Sequence, residues 1–293
     1  MAISASMVKE LRERTGLGMM DCKKALQEAD GDMELAIEEL RKKSALKAAK
    51  KSGRTTADGL LGLKVADEGR DEGRKAALVE VNIETDFAAK NEKFISFVAD
   101  VLQRVFETGE TNVEALLADG LGAEREALVQ EIGENITVRR AAYLETSDGK
   151  ISGYLHGDSR KGALVELTGG GDDLGRDIAM HVTAISPMVV RADEVPQEVL
   201  AKEREIYASQ AADSGKPAEI VEKMVEGRVR KFLAEVSLVD QPFVKDPNTK
   251  ISKLLSENAA DCVRLVRFEV GEGIEVEQQD FASEVAAQLE GAQ

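Results

Sequence analysis

Few residues in this 293-residue sequence have the types and spacing that catalysis or metal binding requires. The sequence contains two histidines, His156 and His181, although histidine is the commonest general base and metal ligand. Among the usual enzyme motifs, the GxxxxGK[ST], GxSxG, HExxH and GxGxxG patterns are all absent from it. These residue types argue against an enzyme.

The histidines, acids and cysteines each allow a structural interpretation. His181 stands in an apolar helical stripe, which predicts a core or interface residue. For His156, a partner contact and an ordinary turn residue are both open. Asp86 has only Glu84 nearby, and no further acid stands at a spacing that would complete a metal site. The two cysteines are far apart and outside any CxxC pattern, which predicts reduced structural thiols, and we expect neither a metal nor a cofactor.

Phe87 stands out because aromatic residues make up only 4% of the chain. It follows a predicted strand at the point where a helix should begin, with Thr85 or Asp86 as the cap and Lys90 one turn further on. Spacing alone slightly favours a Phe87 that tucks under this helix over one that is exposed for contact.

Charge and hydropathy narrow the choice of partner. The chain has 55 acidic and 39 basic residues and a net charge of −16, which argues against broad binding to nucleic-acid phosphates and favours a protein partner. It has no signal-peptide pattern at its start and no apolar run of about 18 residues, the length that a membrane helix needs. We therefore predict a cytoplasmic protein that contacts neither membrane nor nucleic acid directly.

The elements that would position these residues begin with three short helices. Ser4 or Ser6 can cap the first helix, Gly16 can end it, and Asp32 can cap the third. The basic segment 41–54 has almost no apolar periodicity after Leu46, which predicts a solvated helix end running into a linker. A soluble tether and a basic strip that contacts an acidic partner are both open.

Two α+β units follow, and their sequences repeat. The octet of residues 74–81, RKAALVEV, matches the octet of residues 160–167, RKGALVEL, and each lies just ahead of a predicted helix. Strands are predicted at 60–65, 77–83, 136–144, 151–156 and 163–167, and helices at 94–105 and 174–182. The connection of residues 82–91 is longer than its counterpart at 168–173, and an insertion in one copy of a repeat is a natural place for function.

The last third of the chain is predicted to contain a helical hairpin. Pro196 and Pro217 each open a helix with apolar residues at spacings of three and four, and residues 213–216 turn the chain between them. This pattern predicts a short antiparallel coiled coil. A strand at 264–270 and a final helix, with Phe281, Val285 and Leu289 on one face, complete the prediction.

Several of these segments together resemble the bacterial elongation factor Ts family along essentially the whole chain. The matching segments are Lys9-Glu10-Leu11-Arg12, Thr15-Gly16, Gly18-Met19-Met20-Asp21-Cys22-Lys23-Lys24-Ala25-Leu26, Glu84-Thr85-Asp86-Phe87, Ala89-Lys90, Gly133-Glu134-Asn135-Ile136, Arg139-Arg140, Ile178-Ala179-Met180-His181-Val182, Gln241-Pro242-Phe243-Val244 and Arg267-Phe268-Glu269-Val270-Gly271-Glu272-Gly273. Ala88 stands where many members carry Val, and Lys245 where some carry Met.

The resemblance implies an α+β multidomain fold. Its parts would be a ubiquitin-associated-like three-helix domain, a core of two related α+β subdomains, an inserted coiled-coil hairpin and a C-terminal helical module. The corresponding limits are 1–54 for the first domain, 55–145 for the first subdomain, 146–190 with 236–272 for the second, 191–235 for the hairpin, and 273–293 for the module.

The resemblance also implies guanine nucleotide exchange on elongation factor Tu, without catalysis of a covalent step. Asp86 and Phe87 would enter between two helices of the partner's GTPase domain near its Mg²⁺ site, with Phe87 as an apolar wedge. The full set of implied partner-binding residues is Met19, Met20, Lys23, Lys51, Thr85, Asp86, Phe87, Ile132, His156 and Val244. Self-association through the coiled coil is left open.

Overall fold

The computed structural model describes residues 3–66, 73–212 and 217–275. Within them the chain is a mixed α/β protein. The predicted turn 213–216, the predicted final helix with Phe281, Val285 and Leu289, and nearly all of the predicted C-terminal module 273–293 lie outside these residues.

Three helices form the N-terminal module, defined as residues 3–54. They are α1 (Ala5–Thr15), α2 (Met19–Glu28) and α3 (Met33–Lys51). The predicted boundaries are confirmed: Ser4 caps α1, Gly16 ends it in the left-handed conformation, and the Asp32 side chain accepts a hydrogen bond from Leu35 N at 3.0 Å. The helices enclose a small apolar core that includes Leu11, Cys22, Leu26, Ile37 and Leu40.

The first sheet contains three antiparallel strands in the order β1-β2-β3. They are β1 (Asp58–Val65), β2 (Lys75–Ile83) and β3 (Ile136–Glu145). Between β2 and β3 lie α4 (Asp86–Ala89), α5 (Glu92–Thr108), α6 (Val113–Leu116) and α7 (Gly122–Ile132). The apolar stripe of α5, from Phe94 to Val105, packs on the sheet and fills the largest core.

The second sheet repeats this arrangement, with three antiparallel strands in the order β4-β5-β8. The elements of this half are β4 (Lys150–Leu155), β5 (Lys161–Thr168), α8 (Asp172–Ile185), α9 (Gln197–Ala212), α10 (Ala218–Val236), β6 (Pro242–Phe243), β7 (Asp246–Lys250), α11 (Ile251–Glu257) and β8 (Asp261–Glu269). Helix α8 packs on β4 and β5, and α9 packs on α10.

The matching octets occupy equivalent places in the two sheets. Residues 75–81 of the first octet fall on β2 and residues 161–167 of the second on β5, and each strand is the central one of its sheet. The register of each strand shifts at the same point of the octet, after Glu80 and after Glu166. The predicted strands and their order relative to the helices are thereby confirmed.

The basic segment differs from the predicted solvated helix end, because one face of it is buried. Residues 41–51 continue α3, which packs against α7. Ser44 and Ala48 are buried at this contact, and Ser44 Oγ donates to Gln130 Oε1 at 2.7 Å. The contact face of α3 consists of small residues spaced four apart, so its burial produces no apolar periodicity in the sequence.

Candidate functional site

Phe87 lies just after the end of β2. Among the described residues it has the most exposed large apolar side chain. It lies on the four-residue helix α4, and 81% of its surface is accessible. The prediction that it tucks under the helix is wrong, because Ala88 and Ala89 face the core in its place. Thr85 is the cap, since its Oγ1 accepts a hydrogen bond from Ala88 N at 3.2 Å.

Asp86 presents a carboxylate beside this ring. Lys90 Nζ donates to Asp86 Oδ2 at 2.9 Å, and this hydrogen bond lowers the pKa of Asp86 below its ordinary value. The Lys90 ammonium also lies 5.5 Å from the centre of the Phe87 ring. The loop therefore presents an ionised carboxylate and an aromatic ring side by side.

A tight turn at the end of α7 supports this loop. The Glu134 carboxylate accepts hydrogen bonds from Thr85 N at 3.0 Å and from Thr85 Oγ1 at 2.8 Å. Lys51 Nζ donates to the carbonyl oxygen of Gly133 in the same turn. The structure thus brings Lys51 and Thr85 together around one turn, and it adds Glu134, which sequence reasoning recorded only as part of a motif.

Met19 and Met20 form a second exposed apolar surface, on the first turn of α2. Their side chains are 60% and 74% exposed. They border a groove of about 430 Å³ between α1 and α2, whose basic rim includes Lys9, Arg12 and Lys23. Thioether side chains adapt to irregular apolar partners, so this groove suits an amphipathic segment that also carries acidic residues.

The remaining predicted contact residues lie on other elements. His156 is exposed in the turn between β4 and β5, with Nδ1 at 2.9 Å from Asp158 Oδ1. Val244 is partly exposed between β6 and β7, whereas Ile132 is half-buried against the first core. The structure therefore distributes the predicted residues over several surfaces, rather than gathering them into one pocket.

His181 is a core residue, as the sequence predicted. It is fully buried, and its Nε2 lies 2.8 Å from Gln241 Oε1. Its Nδ1 accepts a hydrogen bond from Val244 N at 3.1 Å, so the neutral ring carries its proton on Nε2. Burial lowers the pKa of His181, because an imidazolium would be poorly solvated there.

We expect this burial to make the protein less stable in acid. The folded pKa of His181 lies below its ordinary value of 6.5, so the unfolded chain binds the proton more readily. The contribution of His181 to the free energy of unfolding is therefore complete above pH 6.5 and is lost as pH falls below that value, at up to about 1.4 kcal/mol per pH unit. Urea unfolding from pH 7.5 to 5.5 would measure the loss.

A variant with Gln at position 181 provides the comparison, because His181→Gln cannot gain the proton. Its free energy of unfolding should depend less steeply on pH than that of the natural chain over the same range. Equal slopes for the two proteins would contradict the assignment.

The described part of the chain offers no group of three or more His, Cys, Asp or Glu side chains arranged for a metal ion. Cys22 and Cys262 are both buried and free, in agreement with the prediction of structural thiols. Burial raises the pKa of Cys262 to about 12, which makes its thiolate rare at neutral pH. None of the described helices combines the length and the apolar character that crossing a membrane requires.

Comparison with known proteins shows which family this chain is similar to. The family described as "Elongation factor TS" matches residues 84–272, which include the Phe87 loop, β3 and the whole of the second sheet. The elongation factor Ts of Hahella chejuensis is 58% identical over 290 residues, covering 99% of each chain. Those of Marinobacter nauticus and Saccharophagus degradans are 56% and 55% identical over 286 and 289 residues, covering 97% or more of each chain. The chain belongs to the elongation factor Ts family.

Proposed function

We propose that this chain is a guanine nucleotide exchange factor for elongation factor Tu, which it helps to return to the GTP-bound state during translation elongation. The observation that carries the proposal is the exposed Phe87 ring beside the ionised Asp86, on a capped helix at the end of a central strand. The role requires contact with a protein partner and no covalent chemistry.

Exchange follows from differential binding. The factor must bind the nucleotide-free GTPase more tightly than the nucleotide-bound GTPase, and by reciprocity bound nucleotide then weakens the factor by the same ratio. Contacts made equally well in both states would add affinity without accelerating release. The contacts that matter are therefore those that the partner can make only after its nucleotide site has been disturbed.

Asp86 and Phe87 supply such a contact in this proposal. Phe87 would insert as an apolar wedge between two helices of the partner near its Mg²⁺ site, with Asp86 beside it at the surface. A Mg²⁺ ion neutralises phosphate charge, so a displaced ion raises the rate at which nucleotide leaves. An exposed ring suits this role, because it can be buried entirely in the complex.

Other surfaces would hold the partner without disturbing its nucleotide. Met19, Met20 and Lys23 border a groove that suits the GTPase domain, and His156, Val244 and Ile132 would contact its other domains. Dividing the contact area in this way adds avidity and leaves the exchange step to the Phe87 loop. Lys51 remains in the set, although its ammonium bonds to Gly133 O within the chain.

The finer architecture belongs to the same proposal. We assign residues 1–54 to a ubiquitin-associated-like domain, 55–145 and 146–190 with 236–272 to two related subdomains, and 273–293 to a C-terminal helical module. The packed helices α9 and α10 support a coiled-coil hairpin at 191–235, through which self-association stays open. We further propose a cytoplasmic location and no direct contact with nucleic acid, in keeping with the net charge of −16.

Stopped-flow release of a fluorescent GDP analogue from elongation factor Tu tests the proposal. Adding this chain should accelerate release in proportion to its concentration and then saturate. The alternative is an adaptor or chaperone whose coiled coil recruits other proteins, and it predicts binding with an unchanged release rate. Absence of acceleration under saturating binding would therefore overturn the exchange assignment and favour the adaptor.

The methionine surface should affect affinity rather than the maximal rate. Replacing both residues, Met19→Ser with Met20→Ser, removes apolar area that the complex would bury, at a cost of about 1 to 2 kcal/mol. We expect the half-saturating concentration to rise about tenfold while the maximal release rate stays the same.

Leu46→Ser provides the control for this pair, since Leu46 is 63% exposed on α3 of the same module. It should change neither quantity. A maximal rate that falls while the half-saturating concentration is constant would contradict the separation of holding and exchange surfaces.

A further inference from the structure

The orientation of Phe87 has to be set by its neighbours. Helix α4 has four residues, and a helix of that length is not stable by itself. Phe87 is 81% exposed, so packing of its own ring does little to fix the loop. The hydrogen bonds beneath the loop, together with the buried Ala88 and Ala89, therefore determine where the ring points.

Glu134 makes the most direct of these contacts. One of its carboxylate oxygens accepts the backbone N–H of Thr85 at 3.0 Å and the other accepts the Thr85 hydroxyl at 2.8 Å. Because the hydroxyl hydrogen is committed to Glu134, a lone pair of the same oxygen faces Ala88 N and caps α4 at 3.2 Å. Glu134 thereby fixes the residue that starts the helix carrying Phe87.

Residues 84–85 and residues 134–135 form a reciprocal pair of hydrogen bonds, which we name the clasp. Glu84 Oε1 accepts a hydrogen bond from Asn135 N at 2.6 Å, just as Glu134 accepts one from Thr85 N. Each segment thus gives one carboxylate and one backbone N–H to the other. Hydrogen bonds to charged acceptors are about twice as strong as neutral ones, so the clasp holds the two segments firmly.

The same turn also holds the end of α3. The buried Asn135 donates from Nδ2 to Arg54 O at 3.0 Å and to Ser52 O at 3.4 Å. Lys51 Nζ donates to the carbonyl oxygen of Gly133. Residues 133–135, which we name the 133–135 turn, therefore join the last helix of the N-terminal module to the Phe87 loop.

We infer that the 133–135 turn orients the Phe87 loop before the partner binds, with Glu134 as a positioning residue that acts through Phe87. The inference rests on the proposed function for its effect on exchange, and on contacts within the chain for the positioning itself. A loop held in its binding orientation loses less conformational entropy in the complex.

A double-mutant cycle tests the coupling. Glu134→Ala should lower the release rate at sub-saturating concentration about 3- to 10-fold, which corresponds to losing about one hydrogen bond of ordinary strength. In a Phe87→Ala background it should change the rate by less than about 1.5-fold, because the ring on which it acts is gone. Glu124→Ala, at an exposed position of the same helix α7, is the control and should have no effect in either background. An equal loss in both backgrounds would overturn the inference.

A measurement without the partner separates this inference from the proposed function. A fluorine label at the ring, Phe87→4-fluorophenylalanine, should give one ¹⁹F resonance in the free protein, and Glu134→Ala should shift it while Glu124→Ala leaves it unchanged. If the natural chain fails to accelerate release, the exchange assignment falls and the ¹⁹F shift still decides the positioning. An unshifted resonance in a folded Glu134→Ala protein would refute it.

Thr85 provides a second pair of variants should Glu134→Ala prove unstable. Thr85→Ser keeps the hydroxyl that bonds Glu134 and caps α4, so it should accelerate release more than Thr85→Val does. Thr85→Val keeps the shape, loses the hydroxyl with both of these contacts, and should show a loss similar to that of Glu134→Ala. Equal rates for the serine and valine variants would count against positioning through this hydrogen bond.

Discussion

Phe87→Ala should lower the maximal rate of GDP release about tenfold or more while leaving the fold intact. The ring is exposed in the free chain, so its removal opens no cavity and costs little stability. In the proposed complex the ring is buried only when the partner's nucleotide site is disturbed. Central aromatic contacts in interfaces are worth about 2 kcal/mol or more, which converts to at least tenfold in rate.

Two further variants sharpen this result. Phe87→Leu keeps an apolar wedge of smaller size and should retain an intermediate rate. Ile95→Ala, at another exposed apolar side chain on α5, removes similar surface outside the loop and should match the natural protein. Saturation titrations distinguish the rate from the affinity. A Phe87→Ala protein that binds more weakly but reaches the natural maximal rate would show that the ring serves attachment and not exchange.

Elements determined by neighbours in sequence could be predicted. Ser4, Gly16 and Asp32 end or begin helices through hydrogen bonds that span at most four residues, and the sequence locates Gly16 and Asp32 and limits the first cap to Ser4 or Ser6. The strands β2 and β5 could also be predicted from their octets, because a central strand that is buried on both faces contains a run of apolar residues. Local chemistry of this kind needs no knowledge of the rest of the chain.

Features that depend on distant segments could not be predicted. Whether Phe87 or Ala88 faces the core depends on the space beneath α4, which residues far along the chain enclose. The burial of Ser44 depends likewise on α7, nearly 80 residues later. Glu134 was visible only within a matching motif, because its two hydrogen bonds reach Thr85 across 49 positions. Spacing arguments do not extend to such contacts.

Glu80 combines a feature that the sequence reveals with contacts that depend on distant segments. The octet repeat aligns it with Glu166, and both side chains are buried beside a register shift in a central strand. The cross-strand partner of each is an arginine, Arg140 for Glu80 and Arg264 for Glu166. The repeat therefore preserves a buried ion pair as well as a strand sequence.

The Glu80 carboxylate has more partners than its counterpart. It accepts from Arg140 Nε at 2.6 Å, from Arg139 Nη1 at 2.9 Å and from Asn82 Nδ2 at 3.1 Å. It also accepts from the backbone N–H of Gly271 at 2.9 Å, which ties the chain after β8 to the first sheet. Four hydrogen bonds to one fully buried carboxylate make this the most connected acidic group that we describe in the core.

Glu80→Ala should therefore lower the free energy of unfolding by about 3 kcal/mol. Removing one member of a buried ion pair typically costs about 3 to 5 kcal/mol. The lower end applies here because the side chains of Arg139 and Arg140 are 25% and 30% exposed, so water can solvate part of their charge. Urea denaturation followed by circular dichroism, analysed at equal m-values, measures the loss.

Glu166→Ala is the matched variant, since it alters the equivalent position of the second sheet. Its charged partner, Arg264, has a side chain that is 43% exposed and that also donates to Glu145 O at 2.6 Å. The arginine left behind is therefore better solvated and still bonded, so we expect a loss of only about 1 to 2 kcal/mol. Because the two strands have the same place in their sheets, unequal losses isolate the contribution of the additional Glu80 partners. Equal losses would show that the position in the central strand determines the loss of stability, and not the hydrogen bonds of Glu80 with Gly271 and Arg139.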